Sequence, residues 1–157
     1  SVRLNGTSDI CIEEFSLNGK CILDIFSDVQ FYDYTKVYPY LKYAKKYSNF
    51  DLTYSYNGYN WTLCNQALKD GFRVSVVFEK LRATKKLLVR EQQAFPLTYK
   101  GYKVVNGDKY DMRYLDGQGV IVGLEYKQTA MATKDGKNFT PDTAFIVKHN
   151  DSSNFWG

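Results

Sequence analysis

The chain has 157 residues, 44% hydrophobic and 24% charged, a balance that describes one globular domain and excludes a disordered chain. It falls short of the roughly 250 residues of a full eight-stranded β/α barrel, and no window approaches the roughly 20 apolar residues of a membrane span. The net charge of +4 and pI near 8.8 favour polyanions too weakly to define a nucleic-acid binder.

In chain order, Val2 to Leu4 reads as a first strand and Ile22 to Phe26 as the end of a helix that packs back on the sheet. Val29 to Tyr32 is the second strand. The apolar positions of Tyr40 to Tyr47 recur at helical spacing, with Pro39 suited to the first turn. Leu52 to Tyr54 is the third strand. A helix follows from an Asn60 N-cap to a Gly71 stop. Phe72 to Phe78 is a near-continuous apolar run of the kind buried on both faces.

The rhythm then changes. Glu79 to Gln93 is dense in Lys and Arg and reads as a basic, partly exposed helix, followed by a loop from Pro96 to Gly101. Tyr102 to Val105 is a fifth strand, Asn106-Gly107-Asp108 a sharp turn, and Val120 to Leu124 the last strand. The expected domain covers residues 1–127, with a basic insertion over 79–100 and a polar C-terminal tail over 128–157. Strands separated by helix-length segments predict an α/β protein: a partial (β/α) barrel or an open, mostly parallel sheet flanked by helices. In such sheets ligands bind at the C-terminal ends of the strands, which is where this chain repeatedly places polar residues.

Asn5-Gly6-Thr7-Ser8-Asp9 gathers amide, hydroxyl and carboxylate groups at the first strand end. They suit a sugar, an amino-acid moiety or an adjacent loop, or a helix N-cap by Ser8 or Asp9. Asp33 and Lys36 form an acid–base couple or a mutual ion pair. Asp108, Asp111 and Asp116 around Arg113 suit Mg²⁺ or a substrate cation, although turn chemistry also explains the two aspartates beside glycine. Cys11, Cys21 and Cys64 lack the spacing of a zinc or iron–sulfur motif and read as buried, reduced thiols, so no metal site is expected. The 14 Tyr and 10 Phe suit either half-buried strands or stacking on bases.

The segments NGTSDI (Asn5 to Ile10), VQFYDYTK (Val29 to Lys36), DLTYSYNGYNW (Asp51 to Trp61), GFRVSVVF (Gly71 to Phe78), GYKVVNGDKYDMRYLD (Gly101 to Asp116) and GVIVGLEYK (Gly119 to Lys127) resemble, in the same order, the later part of the bacteriophage gene product 88 family. More remotely, NGTSDI, YDYTK and the SYN stretch are similar to successive strand ends of phage proteins that look like radical S-adenosylmethionine proteins on a partial (β/α) barrel. This second resemblance implies a cysteine cluster upstream of NGTSDI that holds a [4Fe–4S] cluster and cleaves S-adenosylmethionine. That segment is not in this sequence, which begins at Ser1 as a processed or trimmed product would. Both cofactors are therefore expected only of a longer parent protein, none is expected within this chain, and this chain alone is expected to be inactive.

Two readings follow. In the first, the chain is the substrate-side half of a phage radical enzyme, with Asn5, Thr7, Ser8, Asp9 and Ser55 beside the cofactor and Asp33, Lys36, Asp108 and Asp111 reaching an unknown small-molecule substrate. In the second, it is a non-catalytic viral module, a remnant of the barrel, that binds nucleic acid or another phage protein through the basic insertion and exposed Tyr residues. Both imply a location in the cytoplasm of an infected bacterial cell, with no signal-peptide pattern and no membrane partner.

Overall fold

The computed structural model describes residues 1–6, 8–80, 94–127 and 143–157. Thr7, most of the basic stretch expected as a helix and much of the expected polar tail lie outside the described residues. The elements are β1 (Val2–Arg3), a hairpin of β2 (Ser16–Leu17) and β3 (Lys20–Cys21), α1 (Ile22–Ile25), β4 (Phe31–Thr35), α2 (Leu41–Lys46), β5 (Phe50–Ser55), α3 (Trp61–Lys69), β6 (Arg73–Phe78), β7 (Thr98–Tyr99), β8 (Tyr102–Asn106), β9 (Ile121–Glu125), β10 (Ile146–Val147) and β11 (Asn154–Phe155).

Nine strands form one sheet in the order β1-β4-β5-β6-β9-β8-β7-β11, with β10 added beside β6. All pairings from β1 to β8 are parallel, and those of β7 are antiparallel. A β/α barrel adds each strand beside the last. Here β9 enters between β6 and β8 instead, so the sheet is open and does not follow barrel order. The segment from Pro96 to Gly101, expected as a loop, contains β7, which turns into β8 through Lys100 and Gly101. Both turn residues have left-handed φ, 50° and 84°, as a tight two-residue hairpin requires.

Paired residues in a parallel ladder point to the same side, and the register therefore separates two faces. Phe31, Asp33, Thr35, Phe50, Leu52, Tyr54, Val74, Val76 and Phe78 share the first. Helices α2 and α3 pack over this face, contributing buried Leu41, Tyr43, Cys64, Ala67 and Leu68 to its core. Their burial is the main source of stability, at roughly 1.5–3 kcal/mol for each large apolar side chain.

The second face carries Tyr32, Tyr34, Asp51, Thr53, Ser55, Arg73 and Ser75. It is crossed by the connection that contains the short 3₁₀ turn Arg113–Leu115. Arg73 fastens that connection by donating to the carbonyls of Tyr114 and Asp116 while pairing with the Asp51 carboxylate. A buried charge needs such a paired and hydrogen-bonded setting.

Candidate functional site

The parallel strands bring their C-terminal ends to one rim, and a shallow hollow lies at its β1–β4 end. Asn5, Asp9, Asp33, Thr35, Tyr40 and Tyr43 are among its lining residues. Asp33 is central. Its position on β4 turns it toward the apolar face, where it is only 2% exposed. Oδ2 accepts the backbone N–H of Asn5 at 2.8 Å and Oδ1 that of Tyr34 at 2.9 Å. Burial pushes its carboxyl above the usual aspartate range, against the lowering effect of those two hydrogen bonds and of Arg3.

Asp9 organises the lip of the hollow. It accepts the Thr35 hydroxyl at 2.8 Å and the Lys36 backbone N–H at 2.6 Å, holding the loop after β1 against the end of β4. Ser8 donates to the Asn5 side chain at 3.4 Å. On the apolar side, the Cys11 thiol donates to the Tyr43 hydroxyl at 3.3 Å, and this contact together with burial raises the phenol's pKa. The hollow is a shallow dent with only about 10 Å³ of enclosed space, the room of a single water-sized group. That is far below the roughly 300–1,000 Å³ of small-molecule pockets, so it fits one polar group of a ligand and not a whole cofactor.

The expected site residues therefore divide. Asn5, Ser8, Asp9 and Asp33 come together. Lys36 stands at the same strand end with an exposed side chain and forms no ion pair among the described residues; Asp33 instead faces Arg3, at 3.7 Å. Ser55 is on the opposite face and is engaged with Ser75 at 3.1 Å. Beyond Ser55, β10 takes the place beside β6 that β5 leaves, and the Gly58 backbone lies hard against Ala144. Asp108 sits four strands from Asp33, on the order of 19 Å along the rim, and accepts the Glu125 backbone N–H at 2.8 Å. Asp111 is exposed, and its carbonyl accepts the Arg113 backbone N–H.

Sequence reasoning missed Arg3, Tyr34 and Ser75. Burial pushes the pKa of the Tyr34 phenol upward, in the field of Arg113, Asp111, Arg3 and Asp116, and Arg3 lies over its ring at 5.0 Å. Strand alternation was the available signal, because it sets Tyr34 and Asp33 on opposite faces. Cys11, Cys21 and Cys64 are buried and unbridged, and no group of three or more His, Cys, Asp or Glu able to hold a metal occurs among the described residues. These cysteines do not fit an iron–sulfur cluster. No helix among the described residues is long and apolar enough to cross a membrane.

An open, largely parallel sheet with helices on one face and polar loops along its C-terminal rim defines an α/β protein with an open sheet. The chain belongs to the gene product 88 family, whose model it matches over residues 1–145, and is thus a phage protein. Comparison with curated proteins and with solved structures returned no match.

Proposed function

We propose that this chain is the ligand-side domain of a phage α/β enzyme, in which a polar part of a small substrate docks at the β1–β4 end of the rim and exchanges a proton with Asp33. The observation that carries this reading is the Asp33 carboxylate, buried at a strand end and lining the hollow. Burial brings such a group closer to neutrality than a surface aspartate, which is what an acid–base role near physiological pH requires. Asn5 and Asp9 position the loop that borders it. Lys36 stands at the same strand end, where it would meet an anionic part of the substrate, and Asp108 lies further along the rim, where it would meet a more distant part; Asp111 lies on the connection that crosses the second face.

The order of NGTSDI, YDYTK and SYN along successive strand ends supports kinship with radical S-adenosylmethionine-like phage proteins on the ligand side. The cysteines of this chain do not fit the cluster, so [4Fe–4S] would be held by residues of a longer parent protein, with S-adenosylmethionine between them and the loop that carries Asn5 and Asp9. One observation favours a second reading, a module for nucleic acid or another phage protein. Arg82, Lys85, Lys86 and Arg90 against Glu91 place most of the positive excess in one short stretch, as phosphate binding would use.

Amide NMR spectra recorded with S-adenosylmethionine, and separately with a single-stranded oligonucleotide, test the choice. Shifts at Asn5, Asp33, Tyr34 and Thr35 with the small molecule, lost in Asp33→Asn, are the expected result. Shifts confined to residues 81–93 with the oligonucleotide, weakening steeply with salt, would overturn the enzyme reading in favour of the module.

A further inference from the structure

The second face of the sheet holds a charged group that the hollow at Asp33 does not use. Arg113 is fully buried, at 0% exposure. Its Nε donates to the Asp111 carbonyl at 3.4 Å, and Nη1 stands 3.3 Å from Asp116 Oδ2. Nη1 and Asp116 Oδ2 form an ion pair without a well-aligned hydrogen bond, the guanidinium lies over the Tyr110 ring at 5.1 Å, and Nη2 has neither an acceptor nor an acid beside it among the described residues. A buried donor without a partner is costly, and a native structure that keeps one calls for a specific reason.

The surroundings are shaped to receive this side chain. A Cβ at Gly107 would sit 2.9 Å from Nη1 and closer still to Val122 and Leu124, so the glycine leaves room for the guanidinium. Tyr34, Thr53, Ser55 and Ser75 share this face. Thr53 is fully buried, and its hydroxyl has no hydrogen-bond partner among the described residues. The Arg113–Leu115 turn packs over β5, the strand that carries Thr53 and Ser55. Asp116 Oδ1 accepts the Tyr110 hydroxyl at 2.9 Å, and its Oδ2 is the oxygen that faces Arg113 Nη1.

We propose that Arg113 anchors an oxyanion site on this face, taking a carboxylate or phosphate group of a ligand, with the hydroxyls of Thr53, Ser55 and Ser75 on the same side of the sheet. A guanidinium presents parallel N–H bonds in a fork that matches two oxygens of such a group. Because Arg113 is fully enclosed, entry requires displacement of the connection that carries it. The site stands apart from the Asp33 hollow, since Asp33 and Tyr34 are consecutive and face opposite ways, so either site can fail while the other stands.

The test titrates the wild-type chain with sodium phosphate and, separately, sodium acetate, at constant ionic strength maintained with sodium chloride. The side-chain ¹⁵N signals of Arg113 and the thermal midpoint are followed. Saturable movement of the Arg113 signals and a raised midpoint with one of the anions, absent with chloride alone, are expected, and the anion that acts distinguishes phosphate from carboxylate. Arg113→Gln should weaken that response about tenfold or more. Arg113 signals indifferent to both anions, the result for donors satisfied by buried water, overturn the proposal, as does an unchanged response in Arg113→Gln. If that variant fails to fold, the wild-type signals decide alone.

Discussion

The backbone N–H of Asn5 donates to Asp33 Oδ2 at 2.8 Å, and this bond ties the two-residue edge strand β1 to β4 where the hollow opens. One side chain thus has two duties. It completes the hydrogen bonding of the loop after β1, and it leaves a carboxyl group buried at the end of a parallel strand.

Replacing that carboxyl has a signed pH dependence. Burial raises the folded-state pKa of Asp33, so the folded protein binds the proton more tightly than the unfolded chain. The stabilising contribution is complete below the unfolded value of about 3.9 and is lost as pH rises through the raised folded value. Asp33→Asn should therefore cost about 1–3 kcal/mol in acid, where the wild-type carboxyl is protonated, and less as pH rises. Urea unfolding from about pH 3.5 to 7, with hydrogen exchange at Asn5, measures both effects.

Two glycines should respond to alanine for different reasons. Gly107 lacks a positive φ, but a Cβ there would meet Val122 at 2.5 Å and Leu124 at 2.8 Å. Overpacking by Gly107→Ala should cost about 1–3 kcal/mol. Gly101 has φ +84° and nothing within 4 Å of a Cβ, so Gly101→Ala should cost about 1–2 kcal/mol through backbone conformation alone. Thermal midpoints of the two variants, with the Arg113 side-chain signals as a local reporter, separate the mechanisms: those signals should move in Gly107→Ala and stay put in Gly101→Ala.

Much of this architecture is legible in the sequence. The apolar run ending at Phe78 marks β6 because a strand covered on both faces needs apolar residues at nearly every position. Gly71, with φ +86°, marks the end of α3 because a left-handed residue terminates a helix cheaply. Asn60 does stand at the start of α3, but its side chain bonds Asn57, Tyr54 and Ser55 rather than capping the first turn. Neighbour relations are less legible. Periodicity reveals that β9 exists, but not that it inserts between β6 and β8. Two-residue strands such as β10 and β11 are too short to show a period. Within the candidate site, the NGTSDI and YDYTK segments meet because their strands are adjacent, whereas Ser55 turns away because alternation assigns it to the other face.

The Arg73–Asp51 pair bridges β5 and β6 on the second face. Arg73→Met would leave the Asp51 carboxylate in a largely enclosed setting without its cation, an effect of about 3–5 kcal/mol for a buried pair. The double variant Arg73→Met with Asp51→Leu should recover the part of that loss due to the unpaired carboxylate, but not the part due to the Tyr114 and Asp116 carbonyls that lose their Arg73 donors. Denaturant midpoints of the single and double variants check this.

Cysteine chemistry offers an independent check on the core. Cys64 is fully buried, and burial pushes its thiol up to about 12, which suppresses the reactive thiolate. Cys11 and Cys21 are buried as well. A thiol reagent added to native protein should label none of the three rapidly and all three in denaturant, read by mass spectrometry. Rapid native labelling at Cys64 would mean that α3 does not pack as described.

The most direct measurement of the central claim is the carboxyl titration of Asp33, followed by ¹³C NMR in the presence and absence of bound ligand. The buried rim carboxylate should titrate above the ordinary aspartate value of about 3.9 and change its midpoint when a polar ligand occupies the hollow. A midpoint at or below the ordinary value, unmoved by ligand, would make Asp33 a tether for β1 and nothing more.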